Sequence, residues 1–343
     1  MKKLMNYQKG VNLGGWLSQG SLEKKHLDTF ILEDDIKRIA SWGADHIRLP
    51  IDFENIETDS GEEKKDGYVY IDNCIDWCRK YGLNMVLDLH KTYGYTFDDT
   101  DYSEDFFDNK QLQDRFVALW ERLASRYSKD SDIMMFELLN EIVRFDVTEK
   151  WNEIALRCMN AIRKYAPTVK ILYGGVGYSA VNAVKLLAAP IDENIVYNFH
   201  CYEPMIFTHQ SAYWTDGMPE DFHIGYPGDF DEYMTKTKQI PGAMTGALAD
   251  ESLEITSLGT EFFDTLFKEA VEMAEKRNVS LYCGEYGVIN KAPTADTVRW
   301  FKDIHESFEK YGIGRAVWSY KEMDFGWTDA HYSGIFDELV KLI

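Results

Sequence analysis

Two stretches decide the reading of this chain: Ile133-Met-Met-Phe-Glu137-Leu-Leu-Asn140-Glu141 and Ser280-Leu-Tyr-Cys-Gly284-Glu285-Tyr-Gly-Val288. Each is a short apolar run of the length of a buried strand, and each closes on a glutamate. A carboxylate at the carboxyl end of such a strand stands at the rim of a sheet or barrel, where α/β proteins do their chemistry. For one glutamate, a solvent-facing strand end is the simpler reading. Two from separate strands call for a shared purpose.

Working outward, six further strand-like runs accompany 133–141 and 280–288. They are 10–15, 46–50, 84–90, 170–175, 195–202 and 312–320. Amphipathic patterns with a period near 3.6 lie between them, such as Phe116, Leu119, Trp120 and Leu123, or Phe301, Ile304 and Phe308. Gly43, Gly82 and Gly312 fall where helices should stop. Eight strand–helix repeats predict an α/β fold, a (β/α)8 TIM barrel filling residues 1–343 as one catalytic domain. A doubly wound sheet is the runner-up, but Asn12-Leu-Gly-Gly-Trp16 does not supply its Gly-rich phosphate turn. Nearly sixty residues separate Tyr202 from the helix expected near Glu261, where a barrel uses a few. Residues 203–260 are therefore expected to be an inserted subdomain or lid after strand six, with a helix near Phe230–Thr237.

The chain has 343 residues, 45% of them hydrophobic, enough for one large core. Its formal charge of −21 excludes nucleic acid as a partner and argues against anionic membrane surfaces. A neutral polymer is not repelled. Five irregularly spaced cysteines, Cys74, Cys78, Cys158, Cys201 and Cys283, are not a disulfide framework. Met1-Lys-Lys-Leu-Met-Asn-Tyr-Gln-Lys9 has the lysines of a signal peptide without its apolar segment. The expectation is a cytoplasmic protein, or a secreted one whose signal has been removed. A monomer is expected.

Alternation along the strands predicts which side chains face the barrel interior. Glu285 should share its face with Cys283 and Leu281. His200 goes with Tyr202 and Asn198, Arg48 with His46, and His90 with Asp88. The inward strand ends are then Arg48, His90, Glu141, Tyr202, Glu285 and Trp318. Polar groups gathered at one end of a barrel are costly unless they pair with one another or with a ligand. Asn140 and Glu141 are adjacent, so the strand end must twist or bulge to bring both inward. Glu137 lies four residues earlier and should be buried below the site, paired with His46 or Arg48. Two rim carboxylates among Trp and Tyr suggest acid/base cleavage of a sugar–sugar bond. Aromatic residues make up 14% of the chain. Trp16, Tyr93, Tyr95, Phe97, Tyr202, Trp214, Trp318 and Trp327 lie near expected strand ends, available to pack on sugar rings.

The ordered motifs Asn12-Leu-Gly-Gly-Trp16, His46-Ile-Arg48-Leu-Pro50, Asp88-Leu-His90, Glu137-Leu-Leu-Asn140-Glu141, Asn198-Phe-His200-Cys-Tyr202, Cys283-Gly-Glu285-Tyr-Gly287 and Trp318-Ser-Tyr-Lys-Glu-Met-Asp-Phe325 span nearly the whole chain. In this order they resemble glycoside hydrolase family 5, within the wider clan of (β/α)8 retaining glycosidases. The resemblance implies Glu141 as acid/base and Glu285 as nucleophile. It implies Asn140 on the sugar 2-hydroxyl, and Arg48 and Tyr202 as supports of Glu285. His90 and His200 would contact the sugar before the scissile bond, over a floor of Trp318. Two segments depart from the family pattern: His90-Lys-Thr-Tyr-Gly-Tyr95 and Gly174-Gly-Val-Gly-Tyr178. Both touch the expected cleft.

The leading expectation is a retaining endo-β-1,4-glucanase acting on cellulose-like or mixed-linkage β-glucan. A β-mannanase or an exo-acting β-glucosidase on the same barrel is the enzymatic alternative. An inactive carbohydrate-binding protein is the alternative of another class, disfavoured because both glutamates are present. No cofactor or metal is expected: the acidic run Asp98-Asp-Thr-Asp101 with Glu104 and Asp105 lacks the glycine and spacing of a calcium loop.

Overall fold

The computed structural model describes residues 1–98, 105–250 and 252–343. Eight strands form a closed parallel barrel in chain order: β1 Gly10–Asn12, β2 His46–Asp52, β3 Asn84–Lys91, β4 Met134–Glu137, β5 Lys170–Gly174, β6 Ile195–Cys201, β7 Ser280–Tyr286 and β8 Gly314–Val317. Among the helices packed outside are Glu33–Ser41, Tyr68–Tyr81, Lys110–Tyr127, Thr148–Arg163, Thr260–Arg277 and Thr294–Tyr311. Their inward stripes, such as Phe262, Phe263, Leu266, Phe267 and Ala270, are buried against the strands. Each large apolar side chain so buried contributes about 1.5–3 kcal/mol. After β5 the covering element is a 3-10 stretch, Val181–Leu186, rather than the expected α-helix. All five cysteines are buried and unpaired. Among the described residues no helix is long and apolar enough to cross a membrane.

The barrel interior changes character along its axis. Its lower layer is apolar: Val86, Met135, Leu172, Val196, Tyr282 and Ala316 close around Leu4 and Tyr7 from the N-terminal segment. Above them Arg48, Asp88, Glu137 and Asn198 are buried. The rim therefore stands on a polar layer rather than on a hydrophobic plug.

Two boundaries differ from the sequence expectation. The strand expected over 133–141 ends at Glu137, so Asn140 and Glu141 ride on the segment after β4 and strand alternation does not govern them. The amide of Asn140 donates to the carbonyl of Leu89 at 3.1 Å, which holds this segment over β3. In β7 the register against β6 shifts: Phe199 pairs with Cys283, but His200 pairs with Glu285. Gly284 is the extra residue of a bulge. Glu285 therefore shares the interior with Tyr282, while Cys283 and Leu281 face the outer helical layer. The expectation that Cys283 and Leu281 point inward is thereby corrected. Gly284 also has no room for a side chain, since a Cβ there would lie 2.9 Å from both His200 Nε2 and Asn198 Oδ1.

Between β6 and helix Thr260–Arg277 the chain forms helices Met205–Thr208 and Phe230–Thr237 and 3-10 turns Pro241–Thr245 and Ala247–Ala249. The Glu203 carboxylate accepts from the amides of Met205 (3.3 Å) and Ala247 (2.8 Å), tying the start of this segment to its far side.

Candidate active site

The site is built on one buried cation. Arg48, on β2, is fully buried and touches five side chains. Its Nε and Nη2 form a two-pronged pair with Glu137, at 2.7 and 2.9 Å. Nη2 also meets Asn140 Oδ1 at 2.9 Å and Asp88 Oδ2 at 3.0 Å. Nη1 donates to Asn12 Oδ1 at 3.0 Å and to Glu285 Oε1 at 2.7 Å. Glu137 additionally accepts from Asn198 Nδ2 at 2.7 Å. It thus lies below the rim and is paired with Arg48, as its position in the sequence predicts. The other base considered for it, His46, instead meets Asp45 and the Tyr282 hydroxyl.

Glu285 and Glu141 face one another in contrasting surroundings. The second oxygen of Glu285 accepts from the Tyr202 hydroxyl at 2.9 Å. Burial opposes its ionisation, but the charges of His200, Arg48 and His90 and the Tyr202 hydrogen bond outweigh burial and hold its carboxyl down at about 2. Among the described residues the Glu141 carboxylate has one close polar partner, His200 Nδ1 at 2.7 Å. Burial pushes its pKa up, against His200 and with the help of the Glu285 charge. One oxygen of each carboxylate lies within 4.8 Å of the other.

His200 stands between the two, with Nδ1 3.7 Å from Glu285 Oε2. Among the described residues its buried Nε2 has no partner, and it packs towards Gly284. The resemblance gave His200 to the sugar. The structure places His200 on Glu141, a contact that no spacing rule reports, because the two lie 59 residues apart on different strand ends. His90 is fixed by Asp88 (2.7 Å) and lies parallel to Trp318, with ring centroids 5.9 Å apart. Burial raises Asp88 to about 7, with Arg48 opposing.

The eight residues singled out from the sequence, Arg48, His90, Asn140, Glu141, His200, Tyr202, Glu285 and Trp318, all gather at this rim. The aromatic residues divide. Phe97 stands edge-on to His90 at 5.3 Å, and Tyr93 lines a cleft of about 550 Å³ beside β2 and β3, together with Phe53, Glu54 and Lys91. Trp214 is 44% exposed on the segment after β6 and packs near His209 and Phe325. Trp16, Tyr95 and Trp327 are buried in the core, so the expectation that they face a ligand is corrected. Trp16 stacks on Trp77, and Tyr95 donates to the Glu141 carbonyl from beneath.

Among the described residues Glu141, His200 and Glu285 form the one cluster with the spacing of metal ligands. A cation there would meet the fixed charge of Arg48, already 2.7 Å from Glu285. In the acidic run weighed as a calcium loop, Asp99, Asp101 and Glu104 lie outside the described residues.

A barrel with two opposed carboxylates over a buried arginine is the architecture of a glycoside hydrolase. The cellulase family profile (glycosyl hydrolase family 5) matches residues 7–324, and the chain belongs to that family. It is 44% identical to cellodextrinase A of Ruminococcus flavefaciens over 92% of this chain and 86% of that one. It is 41% identical to endoglucanase C of Acetivibrio thermocellus over 99% of this chain and 98% of that one. Among solved structures, endoglucanase Cel5A of Thermotoga maritima superposes with a TM-score of 0.75 at 23% identity, covering 98% of this chain and 97% of that one.

Proposed function

We propose that this chain is a retaining endo-β-1,4-glucanase, with Glu285 as nucleophile and Glu141 as acid/base. The observation that carries the reading is the pair itself: carboxylate oxygens within 4.8 Å of one another, one carboxyl held ionised and the other pushed towards its protonated form. Retaining glycosidases set their carboxyls about 5–5.5 Å apart, whereas inverting enzymes leave about 6.5–9.5 Å for a water.

In the first step a Glu285 oxygen attacks the anomeric carbon. The glycosidic C–O bond breaks, and Glu141 gives its proton to the departing oxygen. The attack consumes the negative charge on Glu285, so the part of Glu141's elevation that came from that charge disappears. Glu141 can then take a proton from water as the water oxygen displaces Glu285 from the anomeric carbon. Arg48 and the Tyr202 hydroxyl hold the charge on Glu285 before attack and receive it again on release. His200, hydrogen-bonded to Glu141, steadies whichever charge Glu141 carries.

The names of the two relatives support β-1,4-linked glucans as the substrate class. The cleft beside β2 and β3 and the Trp318–His90 stack give the sugar chain a path on one side of the carboxylates. The segment 203–260, with Tyr213 and Trp214 at its surface, forms a further wall. Product analysis on cello-oligosaccharides, barley β-glucan, mannan and xylan tests the substrate class. Cleavage of mannan in preference to glucan would replace this reading with that of a mannanase.

A further inference from the structure

The loop after β8 carries a turn of backbone that its own residues disfavour. Glu322, Met323 and Asp324 take φ values of 57°, 57° and 61° in succession. A left-handed residue other than glycine costs about 1–2 kcal/mol, and a run of them persists only where the surroundings dictate it. Here they do. The Glu322 amide donates to Asp329 Oδ1 at 3.1 Å, the Asn290 amide to the Asp324 carbonyl at 2.7 Å, and the Phe325 amide to the Glu322 carbonyl at 3.2 Å. Gly326 closes the turn, because a Cβ there would lie 2.2 Å from the Glu322 amide nitrogen. The loop also lies hard against the segment that follows Glu285. A Cβ on Gly287 would stand 2.5 Å from the Trp318 carbonyl oxygen and 3.3 Å from the Phe325 ring.

What this turn presents is the buried ring of Phe325. With Trp318, Ile289 and Ala212 it forms a small cluster separate from the main core, and Tyr202 and Met323 pack against that cluster. The Phe325 centroid lies 5.7 Å from that of Tyr202, with the ring planes at 63°, and 5.5 Å from that of His209. Tyr202 is the side chain whose hydroxyl donates to Glu285 Oε2 at 2.9 Å. Its ring is packed by His209 of the inserted segment, at 5.1 Å, and by Phe325 of the β8 loop. The hydroxyl sits at the far end of that ring, so a small swing of the ring at its Cβ is magnified there. A hydrogen bond weakens steeply as its distance and angle depart from the ideal.

We propose that Phe325 is a positioning residue for the nucleophile: presented by the left-handed turn at 322–324, it holds the Tyr202 ring so that its hydroxyl stays on Glu285. This rests on Glu285 as nucleophile and on Tyr202 as its support. A phenylalanine that only fills space can be presented by relaxed backbone. One that fixes the hydrogen bond of a reacting group needs a defined place, and strain maintained beside such a group is consistent with that task. The other ionisable groups that face Glu285 are Arg48 on β2, Asp88 and His90 on β3, Glu141 after β4, His200 on β6 and Cys283 on its own strand. His209 faces both Tyr202 and Phe325, and burial holds its imidazole down at about 4.

The test reads the acid limb of kcat/KM on an aryl β-cellobioside for the wild type, Phe325→Leu, Tyr202→Phe and the double variant, with circular dichroism recorded at each pH. Phe325→Leu stays apolar and removes the ring; Phe325→Met does the same and takes its place if the leucine variant does not fold. The limb should move upward by about half a unit to one unit, part of the shift expected of Tyr202→Phe, because a loosened hydrogen bond keeps part of its strength. In the Tyr202→Phe background the same change should move the limb no further, since no hydroxyl is left to position. A shift that persists there would come through His209 or another group and would overturn the proposal. So would a limb coincident with that of the wild type in folded Phe325→Leu, the result expected of a ring that only packs, which would lower Tm alone. If Tyr202→Phe itself leaves the limb unmoved, the role given to Tyr202 fails and the proposal with it; if Phe325→Leu alone leaves it unmoved, only the role of Phe325 fails.

Discussion

Replacing Tyr202 by phenylalanine removes one oxygen and leaves the ring packed against His209 and Phe325, at 5.1 and 5.7 Å between centroids. What is lost is the hydrogen bond to Glu285 Oε2, 2.9 Å long and buried. A hydrogen bond to a charged group contributes about 1.5–3 kcal/mol. At about 1.4 kcal/mol per pKa unit, its loss should raise the Glu285 carboxyl by about one to two units. The wild-type value of about 2 then becomes about 3 to 4. The sign follows from the chemistry. Turnover needs Glu285 ionised, so the acid limb of kcat/KM moves upward by the same amount. Stability follows the same direction. A carboxyl whose folded pKa is depressed contributes stability above its unfolded pKa and loses it as pH falls through the folded value, so the variant should unfold at a higher pH on acidification. The assay is hydrolysis of an aryl β-cellobioside from pH 2.5 to 7, with circular dichroism recorded at each pH. An acid limb coincident with that of the wild type, in a folded variant, would refute the role given to Tyr202.

Glu141→Ala should lose about 10²–10⁴-fold on substrates whose leaving oxygen needs a proton, and far less in glycosylation with an activated aryl leaving group. Azide should restore its second step; equal losses without azide rescue would remove the acid/base role. Glu137→Ala should act mainly on stability, lowering it by about 3–5 kcal/mol in urea unfolding because Arg48 loses its two-pronged partner; an unchanged midpoint would show that Asp88 and Glu285 suffice. Tyr213→Ala with Trp214→Ala should weaken hydrolysis of β-glucan polymer by about threefold to tenfold and leave small aryl glycosides nearly unchanged, and an unchanged polymer rate would reduce the segment after β6 to decoration.

The barrel was legible because each strand is an apolar run bounded by amphipathic helices, a pattern that survives any uncertainty in strand ends. The eight rim residues were legible because most are polar or aromatic residues that close such runs. What failed was counting along the strand. One inserted residue reverses every side chain beyond it. The bulge at Gly284 turned Cys283 and Leu281 outward while keeping Glu285 inward. The early end of β4 freed Asn140 and Glu141 from alternation altogether. The His200–Glu141 contact was invisible for another reason: it joins two strand ends whose side-chain directions depend on barrel closure. Aromatic character alone did not separate ligand-facing rings from core. Trp16 and Trp327 occupy similar strand-end positions to Trp318, yet they pack on Trp77 and Phe301. The closure of the barrel floor by Leu4 and Tyr7 carries no motif, only two apolar side chains among the first nine residues.

The central claim is that Glu285 attacks the sugar and carries it covalently. A 2-deoxy-2-fluoro cellobioside with a good leaving group should inactivate the enzyme, and peptide mapping should find the 2-deoxy-2-fluorocellobiosyl mass on Glu285. NMR of the first product formed from a β-cellobioside should show the β anomer. Label on another residue, or α product at the earliest times, would contradict the account.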